Sequence, residues 1–270
     1  MPRSAPIVFL TFLAILGTLS PAFAQAPNGS TPNATASQFA TSAPKILLLV
    51  YQQFIPGKSG TRQSLEADVA RTFDRMGSPV TWIELESLTG PSQALFVDPA
   101  NSFAEIENAG GALGQLYATR TDLAQSQQQI DDLVSSARTI SAILRDDLSL
   151  KSSLLNLGTA RYLRIRIVQV RPEHERDFVN TIAANRPQNP AAAVAVYQVN
   201  AGLPDLTFIF IEPMRSMRDI DQSLAAPALA PLALTTSSEV DLFAIHPEMS
   251  HVGKDFSAAD PHFWIQASPQ

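Results

Sequence analysis

The sequence repeats itself, and its clearest sign is Phe96-Val97-Asp98-Pro99, which has a counterpart in Phe210-Ile211-Glu212-Pro213, 114 positions later. Ile55-Pro56-Gly57-Lys58 similarly corresponds to Arg171-Pro172-Glu173-His174, with the prolines 116 positions apart. Each of these segments ends an apolar, strand-like run. Because the two matches keep nearly the same offset, the sequence predicts two tandem copies of one structural unit.

A third match lies further along and supports the same interpretation. Arg145-Asp146-Asp147-Leu148-Ser149 aligns with His246-Pro247-Glu248-Met249-Ser250 at an offset of 101. The smaller offset implies 13 extra residues in the first copy, between Asn101 and Ser135. Three matches in the same order make an accidental similarity improbable.

Apolar periodicity predicts the same six elements in each copy, in the order strand, helix, strand, strand, helix, strand. In the first copy they are strand 45–55, helix 64–76, strands 80–88 and 92–97, a helical region after Pro99 that is interrupted at Gly110-Gly111 and resumes to about Val134, and strand 137–145. In the second copy they are strand 161–171, helix 173–184, strands 194–200 and 206–211, helix 214–224 and strand 238–246. One such unit forms a four-stranded antiparallel sheet with helices on one face, so the other face needs a cover.

The βαββαβ order, with its strand-Pro-x-[His/Lys]-helix start, resembles the dimeric α+β barrel superfamily, which includes NIPSNAP-like proteins and antibiotic-biosynthesis-type monooxygenases. The resemblance covers roughly residues 45–250. It implies an α+β fold in which two tandem ferredoxin-like repeats, 45–157 and 158–252, pack as a pseudo-dimeric α+β barrel, so that one chain is a monomer with the form of a dimer. A C-terminal tail would follow at 253–270. A resemblance of this kind concerns the fold and assigns no chemistry.

The N-terminal segment predicts export. Residues 1–24 carry Arg3, an apolar run over residues 7–19, and the small-x-small triplet Ala22-Phe23-Ala24, which together form a secretory signal pattern. A 13-residue run is short for a membrane span, which needs about 20. Residues 25–44 are poor in large apolar side chains and are predicted to be a disordered tether. We expect cleavage before Gln25 and a periplasmic or extracellular product without membrane attachment; an uncleaved N-terminal anchor is the alternative.

Composition excludes several classes of function. The 270 residues include 25 acidic and 19 basic side chains, a net charge of −6, and no Lys/Arg block that would follow a phosphate backbone. Nucleic acid is therefore not a predicted partner. The absence of cysteine excludes disulfides, thiolate metal sites and thiol nucleophiles.

The sequence contains no catalytic signature: it lacks a nucleophile elbow, a phosphate loop, a dinucleotide fingerprint and paired histidine ligands on a helix. His246, His251 and His262 lie near Glu248, Asp255 and Asp260 towards the C-terminus, and such side chains are metal ligands. Because they are spread through a loop-like segment, we predict no metal site and no cofactor.

Strand parity suggests where a ligand would bind. Leu47, Leu49 and Tyr51 form an apolar set expected beneath the helices, and the opposite parity, which carries Arg164 and Arg166, is expected to face the other copy. On the next strand, Trp82, Glu84 and Glu86 align with Val196, Gln198 and Asn200 at an offset of 114 positions. We expect an arginine to pair with Glu84, Glu86 or another carboxylate near the space between the sheets. The candidate ligand-binding residues are Trp82, Glu84, Glu86, Arg164, Arg166 and Tyr197, for a small apolar or anionic molecule.

Three functions remain open. The absence of a catalytic motif favours a non-catalytic barrel that binds a small molecule or is simply structural. The resemblance implies the alternative of a cofactor-independent oxygenase-type enzyme acting on an aromatic or polyketide-like substrate, with Tyr51, Trp82 and Tyr197 as polar aromatic candidates and no catalytic residue assigned. A haem- or metal-dependent version would need a histidine that points into the cavity.

Overall fold

Eight antiparallel strands form a closed barrel in the computed structural model, which describes residues 43–150, 156–184, 193–223 and 232–265. The predicted leader at 1–24 and nearly all of the predicted tether at 25–44 lie outside the described residues. Within the described ranges, no helix is both long and apolar enough to cross a membrane.

The first half of the chain supplies four strands and three helices. Its elements are β1 (Ile46–Phe54), α1 (Ser59–Met76), β2 (Ile83–Ser87), β3 (Gln93–Ala100), α2 (Phe103–Thr119), α3 (Thr121–Asp131) and β4 (Val134–Leu144). Helix α1 begins five residues earlier than its apolar periodicity predicts. The predicted break at Gly110-Gly111 is wrong, because α2 continues through both glycines and ends before Arg120, whose backbone is extended.

The second half supplies the other four strands. Its elements are β5 (Tyr162–Val170), α4 (Glu175–Ala184), β6 (Ala195–Ala201), β7 (Thr207–Met214), α5 (Arg218–Ser223), β8 (Thr235–Ile245) and two short C-terminal helices, α6 (Lys254–Ser257) and α7 (Pro261–Trp264). The predicted end of the second helix at Leu224 lies outside the described residues.

The strand order around the barrel is β1-β3-β2-β8-β5-β7-β6-β4, closing back on β1. Each half therefore contributes four adjacent strands in one order, β4-β1-β3-β2 and β8-β5-β7-β6. The halves join along two seams, where β2 pairs with β8 and β4 pairs with β6.

Matching hydrogen bonds occur at the two seams. The Ser149 hydroxyl accepts a bond from the backbone N–H of Val196 at 2.9 Å, and the Ser250 hydroxyl accepts one from Glu84 at the same distance. Glu84 thus corresponds to Val196, which is an offset of 112. The predicted alignment of Glu84 with Gln198 is wrong by two residues, because the connection before β6 is shorter than the sequence comparison assumed.

The barrel interior is a packed apolar core. Leu49, Leu85, Leu95, Ile140 and Phe243 are fully buried there, together with the remaining inward residues of all eight strands. The predicted parity is therefore inverted: Leu47, Leu49 and Tyr51 face the interior, and the charged parity faces outward. The physical reason is that the packed interior would take Glu84, Glu86 and Arg164 out of water without partners, whereas on the outer face they reach oppositely charged side chains of a helix or a neighbouring strand.

The C-terminal segment closes one end of the barrel and is not a free tail. Phe256 and Trp264 are buried in the interior cluster, and the Trp264 indole N–H donates to the Gly158 carbonyl at 2.6 Å. Arg161 stacks on Phe263 at 3.8 Å from the ring centre. The described C-terminal residues, 254–265, are thus part of the folded barrel, and residues 266–270 lie outside the described residues.

Candidate ligand-binding site

A cleft lies between the outer sheet face of the first half and helices α1, α2 and α3. We call it the outer cleft; its volume is about 40 Å³. Its walls are apolar side chains and its rim carries four polar ones. The apolar residues are Val69, Phe73, Val80, Trp82, Phe96, Leu113 and Ile130, and the polar residues are Gln52, Glu66, Tyr117 and Gln127.

Helix α1 places charged side chains at the edge of this cleft. Its buried stripe includes Arg62, Glu66, Val69, Ala70 and Phe73, whose spacings of three and four residues put them on one helix face. The stripe is apolar towards the C-terminal end and ionic towards the N-terminal end. The sheet beneath the ionic end must therefore supply charged partners.

Strand β2 supplies those partners and completes what we call the Arg62 cluster, formed by Arg62, Glu66, Glu84 and Glu86. The guanidinium of Arg62, which is fully buried, donates to Glu66 at 3.0 Å, to Glu84 at 2.5 Å and also to Glu86. It also lies 4.0 Å from the centre of the Phe54 ring. One cation thus faces three carboxylates, and the second oxygen of Glu84 has no hydrogen-bond partner within the described residues.

The surplus of carboxylates changes their protonation. Burial raises the pKa of Glu66, and burial together with the negative charge of Glu66 raises the pKa of Glu84 well above its usual range. The two carboxyl groups accept from the same nitrogen of Arg62, Nη1, and therefore lie next to each other. Two adjacent buried carboxyls are expected to share a proton, since ionising both would leave an uncompensated charge.

The rest of the rim consists of hydrogen-bonding side chains. Gln52 is almost fully buried, and its Oε1 lacks a partner in the described part of the chain. The Tyr117 hydroxyl donates to Gln127 at 3.2 Å. Burial, together with the nearby charges of Glu66 and Asp131, raises the pKa of Tyr117 to about 12, so this hydroxyl stays protonated.

The far wall of the outer cleft is aromatic and rigidly held. The Trp82 indole N–H donates to the Met249 carbonyl at 2.8 Å, and the ring packs edge-on against Phe73 at 5.0 Å. His251 lies behind it, with one ring nitrogen 2.6 Å from Asp74 and the other 3.1 Å from a backbone carbonyl. These bonds fix the orientation of the indole, so its face forms a stable wall.

Comparison with known proteins bears on the fold. No family model matches the sequence, and no curated protein matches it significantly. A candidate monooxygenase from Fusobacterium nucleatum is similar in structure, with a TM-score of 0.53 and 10% identity over 75% of this chain and 93% of that chain. A chlorite dismutase variant from Candidatus Nitrospira defluvii is also similar, with a TM-score of 0.50 and 11% identity over 78% of this chain and 94% of that chain. The chain has the dimeric α+β barrel fold. At such low identity the likeness shows the fold alone.

Three of the predicted site residues lie at or beside the outer cleft of this α+β barrel. Trp82 lines it, and Glu84 and Glu86 belong to the Arg62 cluster at its edge. The prediction that they face the space between the sheets is wrong, because they project to the outside of the barrel. Their arginine partner is Arg62.

The other predicted residues lie elsewhere. The expected arginine–carboxylate pair is present, but Arg164 binds Glu212 on the neighbouring strand at 2.5 Å, on the outer face of the second half. The partly buried Arg166 lies on the same face, and desolvation, together with the charge of Arg164, lowers its pKa. Tyr197 points into the barrel interior, where its hydroxyl donates to the Pro44 carbonyl at 3.0 Å. The structure does not bring these three residues together with Trp82, Glu84 and Glu86.

The C-terminal histidines are separated by their partners. His246 bonds to Glu248 at 2.9 Å, His251 is buried against Asp74, and His262 is exposed. Among the residues that the structure describes, no group of three or more histidines and acidic residues is arranged to hold a metal ion.

Sequence reasoning missed Arg62, Glu66, Gln52 and Tyr117. A signal for the first two was present, because Arg62 and Glu66 are four residues apart and continue the apolar stripe of Val69 and Phe73. Charged residues on the buried stripe of a helix indicate a buried ionic cluster. Gln52 and Tyr117 carry no comparable signal, since polar residues at such positions are common on exposed faces.

Proposed function

We propose that this protein is an exported, small-molecule-binding α+β barrel whose ligand occupies the outer cleft. The observation that carries the proposal is the buried, unpaired carbonyl oxygen of Gln52, a residue that lines the outer cleft. A buried acceptor without a partner costs about 1–3 kcal/mol, so such groups are normally paired. A ligand that donates a hydrogen bond there recovers this free energy.

The packing of the barrel supports an outer site over one between the sheets. The interior residues Leu49, Leu85 and Phe243 are fully buried against one another, and the outer cleft lies on the opposite face of the sheet. The acidic Arg62 cluster beside the cleft favours a neutral or cationic molecule over the anionic one considered from the sequence. An apolar portion of the ligand would contact the aromatic wall.

The proposal includes an internal duplication, with each half a ferredoxin-like repeat and the chain a monomeric pseudo-dimer. The three collinear sequence matches, the equal strand order in the two halves and the matching serine bonds at the two seams support it. Within the superfamily, the sequence resemblance points to the NIPSNAP-like and antibiotic-biosynthesis-type members.

Export is proposed from the sequence alone. The charged start, the apolar run and the Ala22-Phe23-Ala24 triplet support cleavage before Gln25 and release into the periplasm or medium. N-terminal sequencing of the protein recovered from its own host should start at or near Gln25. Recovery of the intact leader in a membrane fraction would support the anchor instead.

A second candidate function is the cofactor-independent oxygenase-type enzyme acting on an aromatic or polyketide-like substrate. The observation that favours it is the buried carboxyl pair of Glu66 and Glu84, which share the Nη1 donor of Arg62 and of which Glu66 lines the outer cleft. A carboxyl pair with raised pKa values can hold a proton near neutral pH and exchange it with a bound molecule. Turnover that is lost in Glu66→Gln would favour this candidate.

Native purification tests the binding proposal directly. Protein isolated from its own compartment is analysed by mass spectrometry under non-denaturing conditions and again after unfolding, to detect a molecule released on unfolding. A variant with Phe96→Trp, which fills the cleft from the sheet side, is the comparison. We expect a co-purifying molecule in the native protein and its loss in the variant. A folded native protein that carries nothing and binds no member of a small-fragment library would overturn the proposal.

A further inference from the structure

We propose that the ligand of the outer cleft is a small primary amine in its ammonium form, hydrogen-bonded by Gln52 Oε1 and the carboxylate of Glu66. This inference rests on the proposed function, because it assumes that the cleft binds a small molecule. The rim, the charge and the walls of the cleft each favour this chemical class.

The rim of the cleft offers acceptors to a ligand. Gln52 lines the cleft and its buried carbonyl oxygen is unpaired, and Glu66 lines the same cleft with a carboxyl group that is nearly buried. The hydroxyl hydrogen of Tyr117 is already donated to Gln127, whose amide N–H donates in turn to Asp131 at 2.9 Å. An ammonium group, which has three donors and no acceptor, is the chemical complement of this set.

The charge balance favours a cation. Arg62 supplies one positive charge to the three carboxylates of its cluster, and the imidazole of His246, 3.6 Å from Glu86, is shared with Glu248, so full ionisation leaves negative charge in excess. Without a ligand, that excess is reduced by keeping a proton on Glu66 or Glu84. A bound ammonium ion takes the place of that proton and lets Glu66 ionise, as a charge-assisted pair requires.

The walls and the size of the cleft limit the rest of the molecule. Phe73, Trp82 and Phe96 present aromatic surface, which attracts both an alkyl chain and a cation. A volume of about 40 Å³ corresponds to roughly three water molecules. The buried part of the ligand therefore has three or four heavy atoms, which fits propylamine or the amine end of a longer molecule.

Fluorescence of Trp82 provides the test. The chain has two tryptophans, and Trp264→Phe leaves Trp82 in the cleft wall as the only one. This protein is titrated at constant ionic strength with propylamine, with 1-propanol as the neutral isostere, and with propionate as the anion. If the variant does not fold, the indole N–H resonance of Trp82 in the full chain gives the same readout by NMR. We expect saturation by propylamine with a millimolar Kd, tenfold or more weaker binding of 1-propanol, and none of propionate.

Three variants locate the site. Gln52→Leu removes the acceptor and Glu66→Gln removes the carboxylate, and each should weaken propylamine binding at least tenfold. Glu107→Gln removes one negative charge from the exposed face of α2, which does not line the cleft, and should leave the Kd unchanged. Circular dichroism of each variant establishes that it is folded.

The outcomes separate this inference from the proposed function. If 1-propanol binds as tightly as propylamine, the inference that the ligand is an amine is wrong, and the proposal that the cleft binds a small molecule stands. If no probe produces a saturable change, the ammonium site is wrong, and the native purification decides the proposed function independently. If Glu107→Gln weakens binding as much as Glu66→Gln, propylamine is attracted by overall charge, and the proposed ammonium site is wrong.

Discussion

Replacing Arg62 by methionine should cost far more stability than the same replacement of an exposed arginine on α1. The side chain is fully buried and holds Glu66 at 3.0 Å and Glu84 at 2.5 Å. Two unit charges about 4 Å apart interact by about 4 kcal/mol at an effective dielectric constant near 20. Removing one partner of a buried ion pair typically costs about 3–5 kcal/mol, because the other charge is left uncompensated. We expect Arg62→Met to lose about that much of the free energy of unfolding.

Urea unfolding of the mature protein, followed by far-UV circular dichroism, measures this loss. The matched control is Arg71→Met on the same helix, whose side chain is 48% exposed and pairs with Asp68. An exposed pair contributes about 0–1 kcal/mol, so the control should remain close to the native value. Both substitutions remove one positive charge, which leaves burial as the difference between them.

A double-mutant cycle decides whether the loss comes from the ionic cluster. Glu84→Gln removes one of the carboxylates that Arg62 compensates, so Arg62→Met should cost less in that background by about 1–3 kcal/mol. A loss below 1 kcal/mol in Arg62→Met alone would refute the reasoning. Additivity of the two changes would refute it equally, since it would mean that Arg62 acts by packing on Phe54 and not by charge.

Three further predictions concern the rest of the barrel. The pKa of His246 is raised above 6.5, chiefly by its bond to Glu248, so its stabilising contribution is complete below pH 6.5 and is lost as the pH rises through the higher pKa of the folded state. The urea midpoint of the native protein should therefore fall over that pH range, and in His246→Gln it should change less with pH. Gly202→Ala should cost at least about 2 kcal/mol, because its φ is +92° and a Cβ would lie 2.1 Å from a backbone oxygen of β4; Gly57→Ala, with a φ of +78° and open space, should cost less. Trp264→Ala should lower the free energy of unfolding by about 3–5 kcal/mol in the same urea assay, since it empties one end of the barrel, and a loss under 1 kcal/mol would show that this end is not packed.

The architecture could be predicted from the sequence because it depends on the periodicity of the apolar residues and on the order of strands and helices along the chain. Alternating apolar runs and turn residues gave the eight strands to within a few residues, and the antiparallel α+β barrel is confirmed. The prediction failed where packing outweighed the local conformational preference of a residue type. Gly110 and Gly111 suggested a helix break, but each glycine costs only about 1 kcal/mol in a helix, and Leu113 of the same helix is buried against the sheet.

The candidate site was less accessible to sequence reasoning because parity alone does not say which face of a strand is inside. Both parities of β1 are largely apolar, and the burial of each depends on strands that are distant in sequence. The pairing of β2 with β8 and of β4 with β6 closes the interior to water, and on β2 and β5 the parity without charged side chains turns inward. Once that is known, Glu84 and Glu86 can only face α1, where Arg62 lies on the buried stripe.

The two halves of the barrel share a strand order but differ at the positions that form the outer cleft. Gln52 lies opposite Ala94 in the same register in which Val168 lies opposite Phe208, and Glu84 corresponds to Val196. In the second half these valines are buried in an apolar cluster beneath α4. Polar side chains at the same two positions of the first half disrupt what is otherwise a continuous core. They are retained beside a cleft that α3, from the longer connection of the first half, helps to enclose through Gln127. Since buried polar groups reduce stability unless they are paired, their confinement to one half is better explained by a ligand than by folding.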